Sequence, residues 1–351
     1  MIDDTADILI RSEGRAGRIT LNRPRALNSL TYPQIGAIAA ALDAWERDAA
    51  VEVVIIDAAG AKAFCAGGDV RAMYDARSLG PQFARRFWLD EYRLDARIAR
   101  YAKPFVAIMD GIVMGGGVGL SAHGRHRIIT ERTSIAMPET AIGLIPDVGG
   151  TWLLARASGE IGVYLGLTGQ RFSGVDAIQI GFADSYVSSA RLPDLIARLS
   201  QPGPDTPAEV IEAFEQQVPE SALLANKPKL DQWFAGDTVE AILAELQTTT
   251  DPLARDAFAL LKDRSPLSLK LTLRAIRAAR HAASLEAALA TEYKLVTRLY
   301  DHGEFIEGVR ALIVGKDRQP KWRPATLAEV TPAMLDGFFA ALPSGQPGPF
   351  G

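Results

Sequence analysis

Cysteine is nearly missing from this chain: Cys65 is the only one among 351 residues. No internal disulfide framework can form, and a reducing compartment fits. Positive charge is not in excess either, with 38 Lys and Arg against 42 Asp and Glu. The net charge of −4 leaves no broad basic surface for nucleic acid or an anionic membrane. Long apolar runs are absent too. A bilayer span needs about 18 or more apolar residues, and the nearest stretch, Phe105 to Leu120, is interrupted by Asp110 and several glycines. The first residues, Met1-Ile2-Asp3-Asp4, are acidic, unlike a signal peptide or an Arg-rich transit peptide. The cytoplasm is therefore expected, with no membrane or nucleic-acid partner. What remains is an ordinary globular composition, 48 % hydrophobic and 23 % charged.

Strand and helix signals alternate in the first half. Arg18 to Asn22 is β-branched and alternating, and Pro24 stops it. Thr31 is placed to cap a helix with Pro33 in its first turn, and Ile35, Ile38, Leu42 and Trp45 give that helix one buried stripe. Val51–Asp57, Phe105–Met109 and Arg127–Thr130 read as further strands, the first two apolar enough to be buried on both faces. Alternation of this kind predicts an α/β fold. Past Leu192 the strand signals fade. Helical spacing appears in Leu285, Leu289, Val296 and Leu299, and again through Leu267 to Ile276. The expected division is an α/β core over 1–200, a helical region over 201–342, and a Pro- and Gly-rich tail over 343–351 that frays.

Chemistry concentrates in three segments: Phe64–Arg71 (FCAGGDVR), Met114–Leu120 (MGGGVGL), and Met137–Gly150, which contains Glu139 and Asp147. Glycine after a strand lets the backbone approach a ligand closely. If a helix starts at the triple glycine, its first amides point outward without intrahelical partners. Two such amides from two turns can grip one developing oxyanion. Tight strand-to-helix packing explains either turn alone equally well. Dinucleotide and P-loop patterns are not met, because the glycine offsets differ and no Lys-Ser/Thr follows.

Together the three segments, extended to FCAGGDVR, MGGGVGLSAHGRHR and AMPETAIGLIPDVGGTWLL, resemble the crotonase (enoyl-CoA hydratase/isomerase) superfamily. Within it they are most similar to the thioester-hydrolase branch, and Ser265–Lys270, Glu307–Ala311 and Lys321-Trp322 carry that similarity toward the C-terminus. The resemblance implies a spiral of ββα units followed by a C-terminal helical region. It assigns the amides of Gly68 and Gly116 to the oxyanion hole, and Glu139 and Asp147 to catalysis. It also assigns Glu91 to substrate contact, Asp69, Val70 and Arg71 to the strand along coenzyme A, and Arg25 to a cation near it. Coenzyme A arrives as part of the substrate, so no separate cofactor is implied. Relatives of this kind commonly assemble, so the oligomeric state is left open, a homo-oligomer included.

The resemblance also separates two reactions. Similar hydratases carry a second glutamate three residues after the position of Gly116, where this chain has Gly119. Glycine cannot relay a proton, and a general acid or base is worth roughly 10²–10⁴ in rate. Asp147 offers a replacement carboxylate, which points to hydrolysis of a short 3-hydroxyacyl-CoA. The 3-hydroxyisobutyryl group of valine breakdown is expected, with the 3-hydroxypropionyl group beside it. Glu139 then attacks the acyl carbon or activates water, Asp147 orients the other reactant or manages a proton, and Glu91 meets the 3-hydroxyl. Two close, buried carboxyls should titrate apart, one as base and one as acid. An enoyl-CoA hydratase or isomerase is the alternative, separated by release of free thiol. A silent CoA-binding protein would show no turnover. Cys65 reads as a small buried hydrophobe, and His123 and His126 lack a third ligand, so no metal is expected. Lys316, Arg318 and Lys321 form a basic turn that either reaches CoA phosphates or is only solvated.

Overall fold

The computed structural model describes residues 6–350, so residues 1–5, with the acidic Met1 to Asp4, and Gly351 lie outside the described residues. Its strands are β1 (Ile8–Glu13), β2 (Ala16–Leu21), β3 (Val53–Ala58), β4 (Ala63–Cys65), β5 (Phe105–Met109), β6 (Ile112–Met114), β7 (His126–Ile129), β8 (Ser134–Ala136), β9 (Phe172–Ser173) and β10 (Ser185–Tyr186). One sheet has the order β1-β2-β3-β5-β7-β10, and a second has the order β4-β6-β8-β9. Three times in succession a strand of the larger sheet is followed at once by a strand of the smaller one. The helices that bear on the site are α1 (Tyr32–Arg47), α2 (Gln82–Ala99), α3 (Gly116–Ala122), α4 (Gly150–Arg156), α5 (Pro266–Ala279) and α6 (Leu285–His302). Helix α2 follows β4, α3 follows β6 and α4 follows β8, which is the expected ββα repetition.

The larger sheet is parallel apart from its β1-β2 edge. Its middle strands are covered on both faces, which is why β3 and β5 read as continuous Val- and Ile-rich runs. Val53, Ile55, Val106 and Ile108 pack with Leu195, Leu199 and Val210 into one buried cluster. Full burial of each such side chain contributes about 1.5–3 kcal/mol. Helix α1 begins as its sequence suggested. The Thr31 side chain accepts the Gln34 amide, the Gln34 side chain accepts the Thr31 amide, and Ile35, Ile38, Leu42 and Trp45 are buried.

Two compact units share the chain in alternating pieces. Unit 1 comprises Met1–Asp69, Arg93–Ile135 and Phe172–Ala222, and unit 2 comprises Val70–Tyr92, Ala136–Arg171 and Leu223–Gly351. The loss of strand signal is visible, since β10 ends at Tyr186 and helices follow. Compactness nonetheless divides the chain at five places rather than at a single boundary near residue 200. In unit 2, Ser265 caps α5 and Ser284 caps α6, and Leu285, Leu289, Val296 and Leu299 all point inward. Residues 343–350 form neither helix nor strand. No described helix is long and apolar enough to cross a membrane.

Candidate active site

Strands β4 and β6 run parallel, with Cys65 beside Val113. Their C-terminal ends therefore deliver two glycine turns to the same edge. A Cβ on Gly67 would lie 3.4 Å from the Met114 carbonyl oxygen, and one on Gly117 only 2.3 Å from that of Cys65. The approach at Gly117 tolerates no side chain, and at Gly67 it is the φ of +106° that favours glycine. Gly68 forms a parallel bridge with Leu30, in which Leu30 donates to Gly67 and Asp69 donates to Leu30. That pattern turns the Gly68 amide away from the bridge. Gly116 is the first residue of α3, so its amide has no acceptor within the helix. The close packing of these turns is thus present, and the Gly116 amide is left without an intrahelical acceptor. Cys65 is buried, as a small hydrophobe would be.

Position 119 holds a further feature of unit 1. Asp95, on α2, is fully buried, and a Cβ on Gly119 would lie 2.7 Å from its Oδ1 and 2.9 Å from its Oδ2. The chain has no room for a side chain at 119 because a carboxyl group from another element fills the space.

In unit 2, Glu139 opens a short 3₁₀ turn, Glu139–Ile142, and Asp147 stands just before α4. Two glycines of this stretch meet backbone directly. A Cβ on Gly143 would lie 2.3 Å from the Glu304 carbonyl oxygen, and one on Gly308 would lie 2.3 Å from Ile142. The C-terminal helices thereby fix the Glu139 turn. Glu91 is 2 % exposed, Glu139 5 % and Asp147 6 %, so all three carboxyls are withdrawn from water. The Tyr92 hydroxyl donates to Asp147 Oδ2 at 2.7 Å. Glu91 Oε1 and Glu139 Oε2 are buried without a hydrogen-bond partner among the described residues, and such orphans are rare.

Burial, and then the Asp147 charge, push Glu91 and Glu139 well above the ordinary carboxylate range. Burial also raises Asp147, to about 6, against the opposing hydrogen bond from Tyr92. Three carboxyls withdrawn from water are thus raised together, Glu91 and Glu139 by the Asp147 charge as well as by burial. The Tyr92 phenol, raised by burial and by Asp147, keeps its proton and remains a donor.

A fourth carboxyl comes from α6. Glu292 is fully buried, its Oε2 accepts the Gly149 amide at 2.7 Å, and its Oε1 accepts the Thr151 amide at 2.9 Å and the Thr151 hydroxyl. Burial raises it to about 8, opposed by the Thr151 hydroxyl and the Gly149 amide. Tyr92, Thr151, Glu292 and Asp95 were not selected from the sequence as site residues. A signal existed for two of them. Glu292 falls on the apolar stripe Leu285, Leu289, Val296, Leu299, and Asp95 falls among the buried positions of α2, where an acid is out of place.

The remaining candidates are more exposed. Asp69 is half-buried and pairs with Arg23 at 3.3 Å, while Arg25 is exposed on the turn Pro24–Ala26. Val70 starts a short helix, and Arg71 pairs with Asp75 at 2.7 Å on its exposed surface. Lys316 and Arg318 are exposed. Arg318 lines a cavity of about 410 Å³ with Lys262, Arg264 and Trp322, and Lys316 does not. Among the described residues, no group of three or more His, Cys, Asp or Glu is placed to hold a metal ion.

Residues 16–339 match the family described as enoyl-CoA hydratase/isomerase. The mitochondrial 3-hydroxyisobutyryl-CoA hydrolase of Gallus gallus is 42 % identical to this chain, covering 97 % of it and 90 % of the relative. The Homo sapiens protein of that name is 40 % identical over the same shares, 97 % and 90 %. Among solved structures, a carnitinyl-CoA dehydratase from Mycobacterium thermoresistibile superposes with a TM-score of 0.92 at 45 % identity, over 97 % of this chain and 98 % of that one. An enoyl-CoA hydratase from Rhodobacter sphaeroides 2.4.1 gives 0.90 at 46 % identity, over 96 % and 98 %.

Proposed function

From the premise that this chain belongs to the enoyl-CoA hydratase/isomerase family, we propose that it hydrolyses 3-hydroxyisobutyryl-CoA to 3-hydroxyisobutyrate and free coenzyme A. The observation that carries the choice of reaction is Gly119. A glycine there supplies no acid or base, and Asp95 leaves no space for one. The buried Glu91, Glu139 and Asp147 supply carboxyls elsewhere, and the names of relatives 40–42 % identical to this chain support the same reading.

In this reading the thioester oxygen is held by the amides of Gly68 and Gly116. Charge gathers on that oxygen as the acyl carbon is attacked, and fixed amide dipoles stabilise it without reorganising. Asp147, oriented by Tyr92, takes the proton from Glu139, or Glu139 takes it from the attacking water. Either the freed Glu139 oxygen or the hydroxide then forms the new bond to the acyl carbon. The carbon–sulfur bond breaks, and the thiolate leaves with a proton returned from the carboxyl pair. If Glu139 attacked, water next cleaves the mixed anhydride. Glu91, whose Oε1 lacks a hydrogen-bond partner among the described residues, meets the acyl 3-hydroxyl. Asp69, Val70, Arg71 and Arg25 are assigned to the coenzyme A portion. No separate cofactor enters these steps. The single cysteine fits a reducing compartment; the cytoplasm is the one proposed, while the relatives above are named mitochondrial. Assembly into a homo-oligomer belongs to the same reading and is measured by sedimentation.

A hydratase or dehydratase is the second reading, favoured by the names of the two solved structures at 45 % and 46 % identity. One experiment separates them. Purified protein is given 3-hydroxyisobutyryl-CoA and, separately, crotonyl-CoA, without added metal, and thiol release and enoyl absorbance are followed. Thiol from the first substrate is expected. Hydration of the second with no thiol from the first overturns the hydrolase reading. Single turnover in ¹⁸O-water, followed by peptide mass measurement of Glu139, tells attack by Glu139 from attack by water.

A further inference from the structure

We propose that Glu292 is a positioning residue for this reaction: from helix α6 it ligates the turn that presents Asp147, and through that turn it sets where the Asp147 carboxylate stands. The inference rests on the reading above that Asp147 takes part in the chemistry.

The turn cannot hold itself in shape. Val148 has φ of +52° and Gly149 has φ of +78°, and a β-branched residue in the left-handed region is disfavoured. Gly149 precedes α4 as its cap and offers no side chain to the helix's first amides. Glu292 substitutes for that missing cap. It receives the amides of Gly149 and Thr151 and the Thr151 hydroxyl, so three donors converge on one fully buried carboxyl. Between these anchors and Asp147 there is little slack, because Gly150 donates back to the Asp147 carbonyl at 2.6 Å.

The next residue of α6 supports the other side of Asp147. The Tyr293 ring meets the Tyr92 ring edge-on, with centroids 6.2 Å apart at 79°, and Tyr92 is the phenol that donates to Asp147 Oδ2. Residues 292 and 293 therefore support the backbone that carries Asp147 and the donor that orients its side chain. A cap needed only for stability would require the first of these contacts and not the second.

The test uses the whole enzyme and thiol release from 3-hydroxyisobutyryl-CoA. Glu292→Gln keeps the shape but turns an amide N–H₂ toward donors. It should lower kcat about tenfold or more while KM stays within about threefold, a loss typical of the outer partners of catalytic groups. Thr151→Val keeps the carboxyl and both amide bonds but removes the hydroxyl. It should lower kcat at least about threefold, and Thr151→Ser should restore it. Each variant's thermal melt must lie well above the assay temperature. Folded Glu292→Gln with wild-type kcat, or variants that lose only melting temperature, overturn the proposal. If Glu292→Gln fails to fold, Thr151→Val decides, and wild-type kcat there is the adverse result. Asp147→Asn runs alongside. If it too is fully active, the role of Asp147 itself falls. If it is impaired while Glu292→Gln is not, only the inference about Glu292 falls.

Discussion

The carboxyl group of Asp95 stands where a side chain on Gly119 would have to go, with 2.7 Å between its Oδ1 and the nearest place for a Cβ. Gly119→Ala should therefore overpack a buried site and cost about 1–3 kcal/mol, read from denaturant unfolding. Pairing it with Asp95→Gly should recover part of that loss, since residues in contact do not add. Gly119→Glu alone should create no hydration of crotonyl-CoA. Simple additivity of the two changes would show that the sites do not share this space.

Glu139→Gln and Asp147→Asn should each lower kcat by about 10²-fold or more and leave affinity for coenzyme A nearly unchanged. Both replacements keep shape and remove the titrating group. Wild-type kcat in either variant takes that residue out of the reaction.

Gly116→Pro should fold, because the first position of a helix accepts proline. It should also lose about 10²–10³ in kcat, the usual cost of one oxyanion donor. A matched melt comes first. A folded variant that keeps more than about a tenth of wild-type kcat removes the Gly116 amide from that role.

Removing charge at the basic turn should raise KM for the full thioester and spare kcat. Arg318→Ala should matter more than Lys316→Ala, because only Arg318 shares a cavity with Lys262 and Arg264. A pantetheine thioester, which lacks the phosphates of the adenosine end, should barely respond. Equal losses on both substrates would place these residues in folding or assembly.

Stability should fall as pH rises above neutrality. Burial holds Glu292 up at about 8 against an ordinary 4.5, so the folded state keeps a proton that the unfolded chain releases. That stabilisation is whole below the unfolded value and disappears as pH climbs through the folded one. The depressed His126 and His302 act with the opposite sign, but at or below their ordinary 6.5. From about pH 7 to about pH 8.5, then, the melting temperature of wild type should drop, and that of Glu292→Gln should drop less. Parallel curves for the two proteins would contradict this.

The first two glycine-rich segments were legible as turns following the strands at Val51 and Phe105, because glycine acts locally, but the short strands β4, β6 and β8 that directly precede Gly68, Gly116 and Glu139 were not. The strands Val51–Asp57 and Phe105–Met109 were legible for a related reason, since a doubly covered strand is apolar at every position. Tyr92 on Asp147 and Glu292 on the Gly149 amide were not legible. Each joins residues distant in sequence, and periodicity sees only one element at a time. The interleaving of the two units was hidden for the same cause. Composition changes once along the chain, near residue 200, whereas the contacts change sides five times.

The amide of Gly149 waits across 143 positions for its acceptor on Glu292. A ribosome that has released the chain as far as Ala222 has delivered every residue of unit 1 but only two of the three pieces of unit 2. At that stage the turn before α4, which requires Val148 in the left-handed region, has no carboxyl to receive its amides. The part of the molecule that bears Glu139 and Asp147 is thus completed only when α6 has emerged, and a message broken before the codon for Glu292 yields strands and glycine turns without a formed carboxylate cluster.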